Sequence, residues 1–421
     1  MNKVMIQYLS NNLLNSGKYP YLKHLNLSNT GLTDKIKIKK SKKSNTVDDE
    51  KVDTKPLDHC SILAYGLSLN NSITKLYLSS NKNIGSEGLT TILAAITKHP
   101  KLKELYYNTN KINRNIAQAW SDWFNKNPTL PRIWLQRNGI TTEHFQIMCK
   151  GLQNNTHLQW INVDTNRIGD PGVESLCNVL INGTSNISVL NLRANMLTEV
   201  SGKLLANAVQ KNWTLNLLDL SVNVKGKFGD NGVISLCEGL KKNESLRGLR
   251  ISGNELTGKC CQAVSDLFAN HTNLGILEMD HNPGLNDEAF KVLCKGLSKN
   301  SRLKLLNFGE CNPGKKGAIA LQAALKNQIN NTLKLIEKCK KSLENCDTIK
   351  SVINDNKEYN ANKANKICID IFPSDLVKSI IEEFVGYCCL KTIDLHNCYT
   401  EYMGPGVSQI ADAANYFFKQ G

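Results

Sequence analysis

Hydrophobic and polar positions along this chain repeat one phrase: apolar-x-x-apolar-x-apolar-x-x-Asn. It opens at Ile73, Leu102, Leu130, Leu158, Ile187, Leu215, Leu246 and Leu274, at intervals of 28 to 31 residues. Eight positions after each opening stands an asparagine: Asn81, Asn110, Asn138, Asn166, Asn195, Asn223, Asn254 and Asn282. A further copy starts at Leu303 with Cys311 in the asparagine place, and an outlying one at Leu390 with Cys398. An imperfect first copy runs Leu22, Leu25, Leu27, Thr30. Self-similarity at such a period marks a solenoid. Each unit of a solenoid packs only on its neighbours, so 421 residues need not split into separate globular cores.

The repeat from Leu158 to Ser185 shows what each unit predicts. Leu158, Ile161 and Val163 alternate as a short strand with one side turned to a core. Asn166 ends the strand, where its amide can donate to and accept from turn backbone that would otherwise be buried and unpaired. Repeated down the chain, these asparagines predict a ladder. Ile168 re-enters the core, and Gly-Asp-Pro-Gly at 169–172 is expected to turn the chain into a helix. Val173, Leu176, Cys177, Val179 and Leu180 give that helix its apolar face. Gly88, Gly172, Gly232 and Gly317 hold equivalent places at the turn, where close approach of layers needs a small residue.

One strand and one full helix in 28 or 29 residues resembles the ribonuclease-inhibitor class of leucine-rich repeats. The phrases LYLSSNKNIGSEGL (76–89), INVDTNRIGDPGVESL (161–176) and LNLRANMLTEVSGKLL (190–205) carry the likeness, over about residues 70–330. The resemblance implies an α/β fold: a right-handed horseshoe solenoid with parallel strands on its concave face and helices on its convex face. Ribonuclease inhibitors, Ran GTPase-activating proteins, the sensor halves of NOD-like receptors, tropomodulin-like actin cappers and centrosomal proteins share that fold, so it does not by itself name a function.

The pattern divides the chain in three. Residues 1–72 read as an irregular first repeat and cap, interrupted at 33–57 by a charged loop of low hydrophobicity that composition marks as disordered. Residues 73–330 are the regular repeats. Residues 331–421 read as a helical insertion, with helix spacing from Leu335 to Ile353, followed by capping repeats. A partner-binding helix over 332–354 is the alternative reading of that insertion.

Charge and cysteine change the picture only a little. The net charge is +15, from 52 Lys and Arg against 37 Asp and Glu. Much of the excess lies in the run from Lys35 to Lys43 and on the helices. Such a run can serve nuclear import or attraction to an anionic surface, although a solvated loop is the plainer reading. Four of the 14 cysteines, Cys149, Cys177, Cys237 and Cys294, occupy one column of the repeat, which Ser121, Ala206 and Ser265 fill elsewhere. That column wants a small residue, and no Cys-x-x-Cys exists, so reduced structural thiols are expected. There is no apolar run near 18 residues and no signal-like stretch in the first 20, which predicts a cytosolic chain, or a nuclear one if the lysine run is read by import.

No catalytic constellation stands out. The chain has no Gly-x-Ser-x-Gly, no His-Glu-x-x-His and no Gly-x-Gly-x-x-Gly, and Gly314-Lys315-Lys316-Gly317 lacks phosphate-loop spacing. His144 and His281 fall at repeat turns, where solvation explains them. No cofactor, metal or catalytic residue is expected.

The strand phrases point instead to a surface. Their central outward column reads Tyr77, Tyr106, Trp134, Asn162, Asn191, Asp219, Arg250, Glu278, Asn307. Three adjacent large aromatics open it, Trp160 lies beside it in the next repeat, and Arg132 and Arg137 flank it. Exposed Tyr, Trp and Arg together are what protein interfaces enrich at their energetic centres. Farther along, Arg193, Asp219, Arg250 and Glu278 make the face mixed in sign, which suits a protein partner better than nucleic acid. The sequence therefore reads as a non-enzymatic scaffold or regulator that binds a protein on the strand face. A GTPase activator acting on a small Ran-like GTPase is the first rival, although the acidic tail usual in that group is missing. A binder of nucleic acid or an anionic surface through the lysine run is the second.

Overall fold

The computed structural model describes residues 3–13, 21–34, 58–271, 273–300, 302–327 and 392–394. The lysine run at 35–43, the insertion at 331–366 and the outlying phrase at Leu390, apart from 392–394, lie outside them. The chain divides into two compact units, Met1–Phe228 and Gly229–Gly421. Each repeats strand, turn and helix.

The first unit carries seven strands: β1 His24–Asn26, β2 Lys75–Tyr77, β3 Glu104–Tyr106, β4 Arg132–Trp134, β5 Trp160–Asn162, β6 Val189–Asn191 and β7 Leu217–Asp219. Consecutive strands pair in parallel, and the second apolar residue of each phrase always lies opposite its equivalent: Leu25, Leu76, Leu105, Ile133, Ile161, Leu190, Leu218. All seven are buried. Helices follow: α1 Lys3–Tyr8, α2 His59–Leu69, α3 Ser86–Ile96, α4 Arg114–Asn125, α5 Thr142–Leu152, α6 Gly169–Ile181 and α7 Glu199–Lys211. From α2 onward each packs on the next. The second unit has β8 Gly248–Arg250, β9 Ile276–Glu278, β10 Leu305–Asn307 and β11 Thr392–Asp394, again parallel. Its helices are α8 Gly229–Leu240, α9 Cys261–Asn270 and α10 Asp287–Leu297, with one more over 315–327. This is the α/β strand–helix solenoid that the repeat predicts.

Gly-Asp-Pro-Gly at 169–172 turns the chain into α6, as the sequence leads one to expect, and itself forms the first turn of that helix. Gly169, at φ +62°, makes the reversal, and Pro171 sits where a helix has no partner for an N–H anyway. Gly172 is needed for space, since a Cβ there would stand 2.5 Å from Ile168 Cγ2.

The asparagine ladder forms. Oδ1 of Asn138 accepts the backbone N–H of Asn110 at 2.6 Å, and Oδ1 of Asn166 accepts those of Asn138 and Ile140, each at 3.0 Å. Asn223 accepts from Asn195 and Leu197, and Asn282 from Asn254 and Leu256. Each Nδ2 donates to carbonyls at strand ends, as Asn166 does to Leu135, Val163 and Asp164. The turn that these amides bind is left-handed just before the ladder position. Asn29, Ser80, Thr109, Arg137, Thr165, Ala194 and Val222 in the first unit all have φ between 53° and 61°. Gly253, His281 and Glu310 repeat this in the second unit, at φ 56–58°. A non-glycine residue in that region costs roughly 1–2 kcal/mol, which the ladder bonds must offset.

A second polar column, three residues before the phrase opening, was not singled out in the sequence. Asn70, Asn155, Asn212, Asn243 and Asn300 each accept two backbone N–H groups through Oδ1 at the helix-to-strand turn, as Asn155 does from His157 and Leu158. His99 and His271 do the same work with Nδ1, accepting from Leu102 at 3.1 Å and from Leu274 at 3.0 Å. Both rings are buried, and burial holds both below the ordinary imidazole range, against opposing contributions from the Asn70 backbone and the Glu244 charge respectively.

Two measurements test these columns. Asn166→Ala removes the acceptor of two N–H groups and should cost about 1–3 kcal/mol in chemical denaturation. Asn195→Ala should cost less, because Asn195 Oδ1 is buried without a partner among the described residues. A larger loss at Asn195 would refute the ladder account. For the histidines, a folded pKa below the unfolded 6.5 means the unfolded chain takes up more protons in acid. Their contribution is complete above about pH 6.5 and fades as pH falls toward the folded value. The double variant His99→Asn, His271→Asn, which keeps the acceptor, should show a smaller drop in Tm from pH 7 to 5 than the parent.

Candidate partner-binding face

Successive residues of a three-residue strand alternate in direction, so the first and third face outward while the middle one enters the core. In the first unit the third column reads Asn26, Tyr77, Tyr106, Trp134, Asn162, Asn191, Asp219 in strict register. The sheet therefore holds the aromatics at the repeat of the strands, and they stack. Ring centroids lie 4.3 Å apart between Tyr77 and Tyr106, with planes at 10°, and 4.2 Å apart between Tyr106 and Trp134, with planes at 14°. Trp160, in the first outward column of β5, continues the ribbon at 5.7 Å from Trp134 and tilted by 31°. Arg132 stands opposite it in register and holds its guanidinium carbon 5.9 Å from the Trp160 ring centroid. All four rings are half-buried. Parallel stacking at these distances adds to the area they bury.

The polar members of the same column are committed to their own turns. Asn26, Asn162, Asn191 and Asp219 each accept the backbone N–H two residues on, at 2.9–3.0 Å. Aromatic rings cannot do this, and Ser79 and Asn108 supply hydrogen bonds to neighbouring turns instead. The face thus changes from ring edges to turn-bound amides between β4 and β5.

Beneath the ribbon lies a charge pattern that the sequence reading passed over. The first outward column runs Lys75, Glu104, Arg132, Trp160. Glu104 accepts from Tyr106 Oη at 2.7 Å and pairs with Lys75 Nζ at 3.0 Å and Arg132 Nη1 at 3.5 Å. Burial opposes its ionisation, but the bonds from Tyr106 and Lys75 and the Arg132 charge hold its carboxyl below the usual range. Burial first, and then Glu104, push the Tyr106 phenol up, so it stays a donor. The signal was present as a plus-minus-plus alternation two residues before each aromatic.

The remaining residues singled out in the sequence separate into groups. Arg137 is exposed at the left-handed turn after β4. Arg193 pairs with Asp164 at 3.4 Å. Asp219 is buried at 5% exposure. Arg250 and Glu278 belong to the second unit, where they pair across β8 and β9 at 3.0 Å.

The groups with reactive chemistry are packed. Cys149, Cys177, Cys237 and Cys294 are free thiols, all buried, as are Ser121 and Ser265 in the same column, while Ala206 is half-buried. Burial pushes Cys177, Cys237 and Cys294 up to about 12 and Cys149 higher still, so no thiolate forms near neutrality. His144 completes a capping box with Thr141 at the start of α5, and exposed His281 contacts the Asp280 carboxylate. Among the described residues no group of three or more His, Cys, Asp or Glu could hold a metal ion, and no helix is long and apolar enough to cross a membrane.

Comparison with known proteins agrees with the repeat. A leucine-rich-repeat family model matches residues 69–93 and 154–177. The chain is 29% identical to pig ribonuclease inhibitor over 245 residues, 57% of this chain and 52% of that protein. It is 28% identical to mouse NACHT, LRR and PYD domains-containing protein 5 over 266 residues, 62% of this chain and 21% of the relative. It is 29% identical to human NACHT, LRR and PYD domains-containing protein 3 over 58% of this chain and 21% of that protein. The chain thus spans about half the length of one relative and about a fifth of the others.

Cys177→Ala tests the packing role of the thiol column. The variant should fold and lose less than about 1.5 kcal/mol in thermal denaturation, since a small side chain suits the site. Zinc bound near stoichiometrically in the parent and lost in the variant would refute that role.

Proposed function

We propose that this leucine-rich-repeat protein, ribonuclease-inhibitor-like in its repeats, works by binding another protein on the open strand face of its first unit. The docking centre is the ribbon of Tyr77, Tyr106, Trp134 and Trp160, with Arg132, Arg137 and Arg193 at its margin. One observation carries the reading: four aromatic rings stand side by side on a solvent-facing sheet, half-exposed, where a helix or second layer would otherwise cover them. Large rigid rings bury much area at low entropic cost on association, and with arginine they dominate interface energetics. The ribonuclease inhibitor among the relatives acts, by its name, on another protein, which supports a binding role. Arg250 and Glu278 form a second place for contacts, on the other unit, and Asp219 shapes its turn beneath the face.

Affinity capture with the full chain tests this. Trp134→Ala should weaken a specific partner by about 2 kcal/mol, roughly 30-fold. Tyr65→Ala, which removes an exposed ring on α2 away from the strands, should leave capture unchanged. Capture that survives Trp134→Ala but fails with Tyr65→Ala would move the site to the helices.

A further inference from the structure

We infer that the segment received by this face is an acidic stretch of protein that carries an aromatic side chain; the inference rests on the docking reading above. Formal charge on the face is nearly balanced, with Lys75, Arg132, Arg137 and Arg193 against Glu104, Asp164 and Asp219. Depth separates the two signs. Glu104 and Asp164 each leave only 11% of their side chains exposed, and Asp219 is buried. Asp164 is held by Arg193, by Gln136 Nε2 at 3.3 Å and by Thr165 Oγ1 at 2.8 Å. The cations lie outside them: Arg132 is 48% exposed, Arg193 42% and Lys75 32%. Arg137 is exposed as well and makes no ion pair among the described residues. A partner therefore meets a layer of guanidinium and ammonium groups whose counter-charges are sealed beneath it. Carboxylates complement that layer, and the planar arginine fork binds them with two parallel bonds.

The ribbon decides what accompanies the carboxylates. Rings 4.2–4.3 Å apart and nearly parallel have spent their faces on one another, so no gap between Tyr77 and Trp134 admits a flat base. Single-stranded nucleic acid gains its affinity by stacking on ring faces, and those between Tyr77, Tyr106 and Trp134 are already taken. It offers ring edges, the electropositive part of an aromatic. Edges accept another aromatic in a T-shaped contact and tolerate a neighbouring carboxylate. An acidic peptide with a tyrosine or phenylalanine anchor satisfies both features.

The test uses the full chain with Lys35, Lys37, Lys39, Lys40, Lys42 and Lys43 changed to Gln, so that the lysine run cannot bind acidic probes. Binding of four labelled probes is measured at low salt: a glutamate–tyrosine copolymer, polyglutamate, a lysine–tyrosine copolymer and single-stranded poly(U). The expected result is tightest binding of the glutamate–tyrosine copolymer, roughly tenfold weaker in Trp134→Ala and three- to tenfold weaker in Arg132→Gln/Arg137→Gln. The arginine pair is exposed, and Glu104 keeps Lys75, so that variant should fold normally. Preference for the lysine–tyrosine copolymer, still lost in Trp134→Ala, overturns the acidic partner while the docking face stands. Equal binding of polyglutamate overturns the aromatic anchor, and equal competition by poly(U) overturns a protein segment in favour of any polyanion. Failure of the folded parent to bind the glutamate–tyrosine copolymer overturns the inference as well. Binding of every probe unchanged by Trp134→Ala overturns the docking face itself.

Discussion

Everything in this molecule depends on satisfying the backbone of a left-handed turn that recurs in every described repeat. The chain must leave a three-residue strand, reverse, and enter a helix, and the reversal places N–H and C=O groups where water does not reach. Asn138, Asn166 and Asn223 solve this with one side chain, taking N–H groups of the preceding repeat and donating to strand-end carbonyls. Because each amide bonds to the repeat before it, the turn of one repeat is completed only by the next. That mutual completion lets a β-branched residue such as Thr109, whose neighbour Asn110 is held by Asn138, occupy a left-handed conformation. It also explains why the asparagine keeps its place eight residues after each opening from Ile73 to Leu274 although the period varies from 28 to 31.

A second column closes the opposite end of seven of the described repeats. Asn155 and Asn212 accept two N–H groups of the chain entering the strand and donate to Phe124 and Leu180, at the end of the helix one repeat earlier. Histidine substitutes at two places because Nδ1 offers an acceptor at nearly the same reach. The substitution adds what asparagine lacks, a group that titrates, and its burial couples it to stability in mild acid.

The proposed binding face is a consequence of these constraints. Turns locked at both ends hold the strands in register, and register places equivalent side chains at the spacing at which aromatic rings stack. Tyr77, Tyr106 and Trp134 need no further organisation to lie face to face. Glu104 then fastens the ribbon from below through the Tyr106 phenol, and Lys75 and Arg132 neutralise it. A surface built this way is largely ordered before a partner arrives, which lowers the entropic cost of association.

The periodic content of this protein was set in the amino-acid sequence. A phrase recurring every 28 to 31 residues determines a strand and a helix per unit, the ladder position, the buried middle residue of each strand and the column that carries Tyr77, Tyr106 and Trp134. Such features are legible because they repeat, and each copy tests the others. What does not repeat had to await the tertiary structure. Gly-Asp-Pro-Gly at 169–172 marked the entry to a helix, and only the backbone path showed that its residues form the helix's first turn. The Asn70 and His99 column was present in the sequence but mixed two residue types, so its shared acceptor role appeared only from hydrogen bonds. Above all, the alternation Lys75, Glu104, Arg132 says nothing of depth. Whether a charge is sealed or exposed depends on which neighbours from adjacent repeats reach it, across separations of 28 and 29 residues, and only folded strands bring those neighbours together.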